Sequence, residues 1–540
     1  MKTTDRVSTD DTHLQKVDSG AFHAIKSPAV ESDGLELGGA LRPGGAPSVF
    51  SLKHIGLLAH IASVGVVYGT VYGVIYAVLN NYLAMSATLV ATAQALIRVP
   101  RALRMIFAVC SDCYPIFGYR RRPYLLIGWI MTFVSCFLMA VWPIGDPATT
   151  DPDASDNGIK LIFLMMFANL GTVIAFGASD GYMVELAQRE PELTRGTVQS
   201  NVSTVRQVFM ILSAFMTGLG LNGVDYGGSF SWTMGFNAIM GVCAAFSFVT
   251  IPLCWFCITE EKVSEGKSGS EFFKGLFKII QSRVIFQLIA LRFFRQIFSL
   301  FSVTADSLIQ SLWAKVEPLN SGVADMLSSV ISAVSIFIVK KYGLAWDWRL
   351  IVITCQVFVV ALDCIPTFFT IWNVFRSQWF WLGVPLLAEF PNSIGDFIAG
   401  LYVVEVTDEG FEATIMGLMV SISAIGTPFA TVMTKSVSSY FDIERPYIKK
   451  DDHHVHSQLT YAYIIAYIVN LFSLVFVVFW LPRQKAEVRA LKRTGGSNKV
   501  LGSITVFYLV FAFCWTVMTN ILSLSASTKC LRIAGGTGCK

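Results

Sequence analysis

Charge is what this sequence has least of. Only 14% of its 540 residues are Asp, Glu, Lys or Arg, while 54% are hydrophobic; soluble domains carry about 25% charged residues. That deficit excludes a water-soluble globule. Nor is there net charge to read, since 41 Lys and Arg against 37 Asp and Glu leave +4, which points to no nucleic-acid partner. Histidine is also scarce, with seven in the chain. The one cluster, His453, His454 and His456, lies in a polar loop with no carboxylate-bearing helix pattern, so no metal, cofactor or catalytic constellation is expected. The eleven cysteines lie mostly within apolar blocks, which argues against a disulfide framework. Cys530 and Cys539 in the tail "CLRIAGGTGC" could pair, or Cys530 could be acylated. Residues 1–50 are polar and rich in Gly, Ser and Asp, without the apolar core of a cleaved signal peptide. They read as a flexible tail.

What is present is apolar sequence in blocks of about 20 residues, the length that spans roughly 30 Å of hydrocarbon. Twelve such blocks define spans 1 to 12: 57–79, 84–109, 123–142, 159–180, 203–222, 230–256, 283–305, 320–341, 348–372, 379–404, 412–438 and 459–482. A thirteenth, 501–524, follows a basic interval. The expected class is an all-α polytopic membrane protein embedded in a lipid bilayer. Basic residues collect after the even spans: Arg120, Arg121 and Arg122 after span 2, Lys262 to Lys278 after span 6, Lys340 and Lys341 after span 8, and Arg483 to Arg493 after span 12. The loop after span 3, "PIGDPATTDPDASDNG", is acidic. Cations stay inside, so the even loops and the N-terminus are expected to be cytoplasmic, and a plasma-membrane location is the working assumption.

The chain repeats itself. "YMVELAQREPELTRGTVQS" from Tyr182 and "YVVEVTDEGFEATIMGLMVS" from Tyr402 each place a Glu three residues after the Tyr, Glu185 and Glu405, at the junctions of spans 4–5 and 10–11. An offset of six spans is the mark of two duplicated six-helix halves. Parallel halves about an axis along the membrane normal describe the major facilitator fold, with substrate bound between them near the midplane. The expected organisation is a cytoplasmic tail (1–54), a first half (55–256), a charged central loop (257–282), a second half (283–482), and a basic segment, extra hydrophobic helix and tail (483–540). The loop after span 2, "SDCYPIFGYRRRPYLLIGW", sets Asp112 before Gly118 and Arg120–Arg122. Asp112 can accept charge-assisted bonds from arginines and from helix N-termini across the seam. Such contacts, made in one of two rocking states, form a latch.

These motifs resemble the folate–biopterin transporter family of the major facilitator superfamily. "SDCYPIFGYRRRPYLL" looks like that family's hallmark, and "ASDGYMVELAQ" is similar to its span-4 motif, with Asp180 and Glu185 at the acidic positions. Arg104 matches a cationic position in the stretch beginning at Pro100, whereas Arg101 departs from the family's aromatic. "GVDYGGSFSW" and "CLRIAGGTGC" resemble kinetoplastid pteridine and folate transporters. The resemblance implies a carrier for folate, pterins such as biopterin or, in some members, S-adenosylmethionine, usually inward and with protons as coupling ion.

Charges inside spans are functional candidates, because one arginine in lipid costs roughly 2.5–3.5 kcal/mol on insertion scales. The ladder "ALIRVPRALRMIF" places Arg98, Arg101 and Arg104 three residues apart around Pro100. Such a run fans over about 120° and climbs about 9 Å, too broad an arc to face lipid throughout. Arg98, about 16 Å from the cytoplasmic end, and Arg101 are expected in the central cavity. Arg104, about 7.5 Å in, is expected at a gate beside Asp180 or Glu185. The remaining expected substrate contacts are Arg292, Arg295, Asp363, Glu389 and Asp396. The gating set is Arg104, Asp112, Gly118, Arg120, Arg121, Arg122, Asp180, Glu185, Arg206 and Glu405. A pterin's 2-amino-4-oxo face offers adjacent N–H donors to a carboxylate, and a folate's glutamate carboxylates match guanidinium forks. Glu389 and Asp396, with Pro391 and Gly395 between, mark span 10 as broken at the site and as the candidate for proton coupling. A non-transporting sensor on the same fold is the alternative of another class; the 26-residue central loop, 257–282, is short for a signalling domain.

Overall fold

The computed structural model describes residues 38–85, 87–147, 155–263, 268–316, 318–524, 527–528, 530–531 and 539. Nine helices among these are long and apolar enough to cross a membrane: Ile55–Tyr82, Arg122–Val141, Gly158–Gln188, Thr197–Gly220, Phe236–Phe256, Gly322–Gly343, Trp348–Ile371, Glu412–Ser438 and His453–Trp480. They are spans 1, 3, 4, 5, 6, 8, 9, 11 and 12. The three that fall short, spans 2, 7 and 10, are those carrying the arginine ladder, Arg292 with Arg295, and Glu389 with Asp396. Polar residues thus concentrate where the fold is least suited to lipid.

Each of the three solves its problem differently. Span 2 breaks into Ala87–Ala102 and Arg104–Cys113. Leu103 forms the joint, its N–H reaching the Pro100 carbonyl at 3.0 Å. Pro100 lacks an N–H and crowds the preceding turn, so the interruption follows it. Span 7 is the helix Arg283–Ser299, shorter than the block 283–305, and a separate short helix, Asp306–Leu312, follows. Span 10 is one continuous helix, Gln378–Val406, contrary to the expected break. Pro391 removes a single backbone donor, and the helix absorbs that loss.

The twelve spans form two six-helix halves. In the first, span 1 packs on spans 5 and 6, and span 3 on spans 4 and 6; in the second, span 9 packs on spans 10 and 12, and span 7 on spans 11 and 12. Small residues permit close approach, the usual packing currency of membrane helices. A Cβ on Gly128 of span 3 would lie 2.5 Å from the Gly171 carbonyl of span 4, so neither position admits a side chain. The halves meet through spans 2 and 4 against span 11, and span 5 against span 8. Helix Lys499–Leu524 lies outside, its Tyr508 ring 4.6 Å from Phe293 and its Trp515 ring 5.6 Å from Phe429. Cys530 and Cys539 are disulfide-bonded.

The N-terminal tail departs from expectation. Residues 1–37 lie outside the described residues, but beyond them the chain is packed rather than free: Ala40 and Val49 are buried against the protein. The central loop likewise contains an amphipathic helix, Gly269–Ile280, that buries Phe272, Leu276 and Ile280.

Candidate functional site

A cavity of about 330 Å³ lies between the halves, within the size range of small-molecule sites. Span 2 contributes Arg101 and Arg104, span 4 Asp180, span 5 Arg206, span 7 Arg292, and span 10 Glu389 and Asp396. Seven ionisable groups from five spans therefore converge on one space. Arg104 is paired with Asp180 and lies over the Phe176 ring, 4.2 Å from its centroid. Arg101 is exposed to the cavity and reaches the Tyr68 hydroxyl at 3.3 Å. Arg206 has a buried Nε with no hydrogen-bond partner among the described residues. Across the cavity, Arg292 donates from Nε to Ser423 Oγ at 2.6 Å and stands 3.8 Å from Asp396. The Asp396 side chain is 78% exposed, so this carboxylate points into open space. Glu389 is held by Ser393 at 3.1 Å; Ser393 lies 2.7 Å from Ser332 Oγ, which accepts from Gln207 of span 5 at 2.6 Å. That chain of polar groups crosses the seam.

Three expected contacts are elsewhere. Arg98 sits one turn further from the Arg121 end of span 2, exposed and 5.9 Å from the Tyr72 ring centroid. Arg295 turns behind span 10, where it lines a separate small pocket with Gly395, Ile398 and Tyr402. Asp363 lies half-buried between spans 9 and 12 and accepts from Tyr467 at 2.8 Å.

One end of the seam is closed by a second charge cluster centred on Arg121, whose side chain is fully buried. Its Nη1 donates to Asp112 at 2.7 Å, and its Nη2 to Glu185 at 2.6 Å and to Glu412 of the other half at 3.1 Å. Asp112 also accepts from the backbone N–H and the hydroxyl of Thr414, both at 2.7 Å, in the first turn of span 11. A carboxylate at a helix N-terminus is favourably placed against its dipole. Beside this, Arg195 donates to Glu405 at 2.6 Å, and the Gln188 side chain to the Val404 and Thr407 carbonyls at 3.1 and 2.9 Å. The loop after span 2 is shaped by Gly118, whose φ of +80° suits glycine. Glu260 caps the start of span 3, accepting from the N–H groups of Arg120 at 2.6 Å, Arg121 at 2.8 Å and Arg122 at 3.1 Å. The Arg122 guanidinium reaches the Ile258 carbonyl and lies 4.9 Å from the Tyr119 centroid.

Sequence reasoning missed Glu412, Arg195, Gln188 and Glu190 in this cluster. A signal existed: in the two quoted repeats Glu412 stands where the first has Glu192, and Arg195 and Gln188 lie inside the first. Glu190 caps span 5 through the N–H groups of Gly196 at 2.8 Å and Val198 at 3.0 Å. Burial pushes its carboxyl up to about 7, against the pull of those donors.

A family model, that of the BT1 family, matches residues 65–499. The chain is 23% identical over 352 residues to "Folate-biopterin transporter" of Synechocystis, covering 64% of this chain and 66% of that one, just under two thirds of its length. It is 22% identical over 423 residues to "Folate transporter 1" of Plasmodium falciparum, covering 76% and 75%. Among solved structures, the proton:xylose symporter XylE aligns over 82% of this chain and 98% of its own with a TM-score of 0.56 at 12% identity. A bacterial homologue of ferroportin, in an outward-facing state, aligns over 80% and 99% with 0.54 at 14%. Such identities carry the fold alone, and the fold is that of the major facilitator superfamily.

Proposed function

The chain belongs to the BT1 family, and we propose that it is a secondary active transporter that imports folate or pterin solutes by alternating access, with protons as coupling ion. The observation that carries this reading is the cavity between the halves, where Arg101 and Arg206 line the wall without an ion-paired carboxylate among the described residues while Asp396 is exposed opposite. Guanidinium forks without a carboxylate partner suit the carboxylates of a folate tail, and an exposed carboxylate suits the amino face of a pterin ring. In this reading Arg101, Arg206 and Arg292 bind the anionic part, Glu389 and Asp396 bind the ring and carry the coupling proton, and Arg104 with Asp180 forms the cavity floor.

The Arg121 cluster is the latch. It joins spans 2 and 4 to span 11, and separation of the halves at that end requires Arg121 to leave Glu412, and Asp112 to leave Thr414. In this reading the end that carries the basic loops is cytoplasmic, and the cavity is reached from the opposite face of a plasma membrane. Folate stands in the names of both relatives, which supports the substrate class proposed for this chain. Uptake of radiolabelled folate, biopterin and S-adenosylmethionine in a pterin-auxotrophic host is the test. Accumulation of folate or biopterin is expected. Accumulation of S-adenosylmethionine alone transfers the cavity to a different solute, and accumulation of none removes the transport reading.

A further inference from the structure

The latch contains a segment that belongs to neither half. Residues 38–49 cross the closed end and dock on the loop between spans 4 and 5. The N–H groups of Leu41 and Arg42 donate to the Gln188 carbonyl at 2.9 and 3.2 Å, and Glu192 N–H donates to the Gly38 carbonyl at 2.9 Å. Arg195 donates to the Gly39 carbonyl. Both Gln188 and Arg195 also hold the second half, through Val404, Thr407 and Glu405. The segment then reaches the second half itself, because Arg42 is ion-paired with Glu412. Gly38 and Gly39 have φ of +77° and +78°, a left-handed conformation that suits glycine. A Cβ on Gly39 would stand 3.3 Å from Glu192.

The charge balance gives this contact weight. Asp112, Glu185 and Glu412 gather around Arg121, three carboxylates about one guanidinium. Arg42 is the second cation within ion-pair distance of that group among the described residues. A buried carboxylate without a partner is costly, so the closed end relies on a charge supplied from outside the twelve spans. Glu412 leaves the first half when the halves part, and Arg42, anchored on the span 4–5 loop, cannot follow it.

We propose that residues 38–49 form a strap that holds the latched end shut, and that Arg42 is a gating residue which must release Glu412 for that end to open. The proposal rests on the alternating-access reading above. Its test uses Cys113, which is 1% exposed beside Asp112, as the single reporter thiol in full-length protein with the other free thiols replaced. The rate of maleimide labelling reports opening. Arg42→Gln should raise that rate roughly tenfold, the scale of one charge-assisted contact, and Arg42→Lys should recover part of it. Gly39→Val should raise it too, by blocking docking without altering charge. Arg121→Gln is the control for the latch. If it accelerates labelling while Arg42→Gln and Gly39→Val match the parent rate, the strap is wrong and the latch stands. If Arg121→Gln also leaves the rate unchanged, this end does not open as required, and the latch and the strap fall together.

Discussion

Arg121 and Arg206 carry the same charge within the same seam and have opposite surroundings. Arg121 is fully buried and donates to three carboxylates from both halves. Arg206 lines the cavity with its Nε unpartnered among the described residues. The Arg121 cluster ties protein to protein; in the proposed reading Arg206, with no ion-paired carboxylate among the described residues, leaves binding capacity for a solute. Charge inside a membrane protein thus carries no single meaning, and in that reading pairing separates a latch between the halves from a site for a solute.

The sharpest way to break this contrast is to remove Arg121. Arg121→Gln leaves three carboxylates, Asp112 and Glu412 buried and Glu185 half-buried, with Arg42 alone, a loss of about 3–5 kcal/mol for a broken buried pair. Thermal unfolding in detergent should fall by several degrees and uptake should be lost; a stable, active variant would end the latch reading. Arg206→Gln should do the reverse. Stability is expected to hold or rise, because a guanidinium with a buried, unpartnered Nε is removed, while KM for uptake rises roughly tenfold or more. An unstable protein with unchanged KM would place Arg206 with the structural arginines.

The ladder sharpens the comparison further. Arg101→Ala is expected to weaken binding more than Arg98→Ala, since Arg101 lines the cavity and Arg98 lies beyond its lining; equal losses in a binding assay would contradict that order. Glu389→Gln or Asp396→Asn should flatten the pH dependence of uptake, and unaltered profiles in both would take span 10 out of coupling. The smallest effect is at Glu190, with a folded value of about 7 against 4.5. Between those values the folded state binds more protons than the unfolded one, so this group's contribution falls as pH rises from about 4.5 to 7. Glu190→Gln should remove a pH-dependent part of the melting temperature worth about 1–3 kcal/mol, readable in melting curves at pH 5 and 7.5.

Much of the architecture was legible in the residues. The ladder marked span 2 as polar, and the structure divides that span at Leu103, three residues past Pro100. Span 10 misled, because Pro391 and Gly395 suggested a break and the helix runs through. A proline removes one bond from a ladder of many, and whether the helix survives depends on the neighbours packed against it. The tail misled for a related reason: its Gly, Ser and Asp content matches a free chain, yet residues 38–49 find partners in a loop more than 140 residues away.

The sequence by itself determined that this is a membrane protein, where its spans run, that it is built of two related halves, and which residues carry charge at membrane depth. Those properties depend on local composition and spacing. Tertiary structure alone decided which arginine meets which carboxylate. Arg121 and Glu412 are separated by 291 positions, and Arg42 and Glu412 by 370. Helical periodicity sets a side chain's depth and bearing on its own helix, but its partner is set by how distant helices pack.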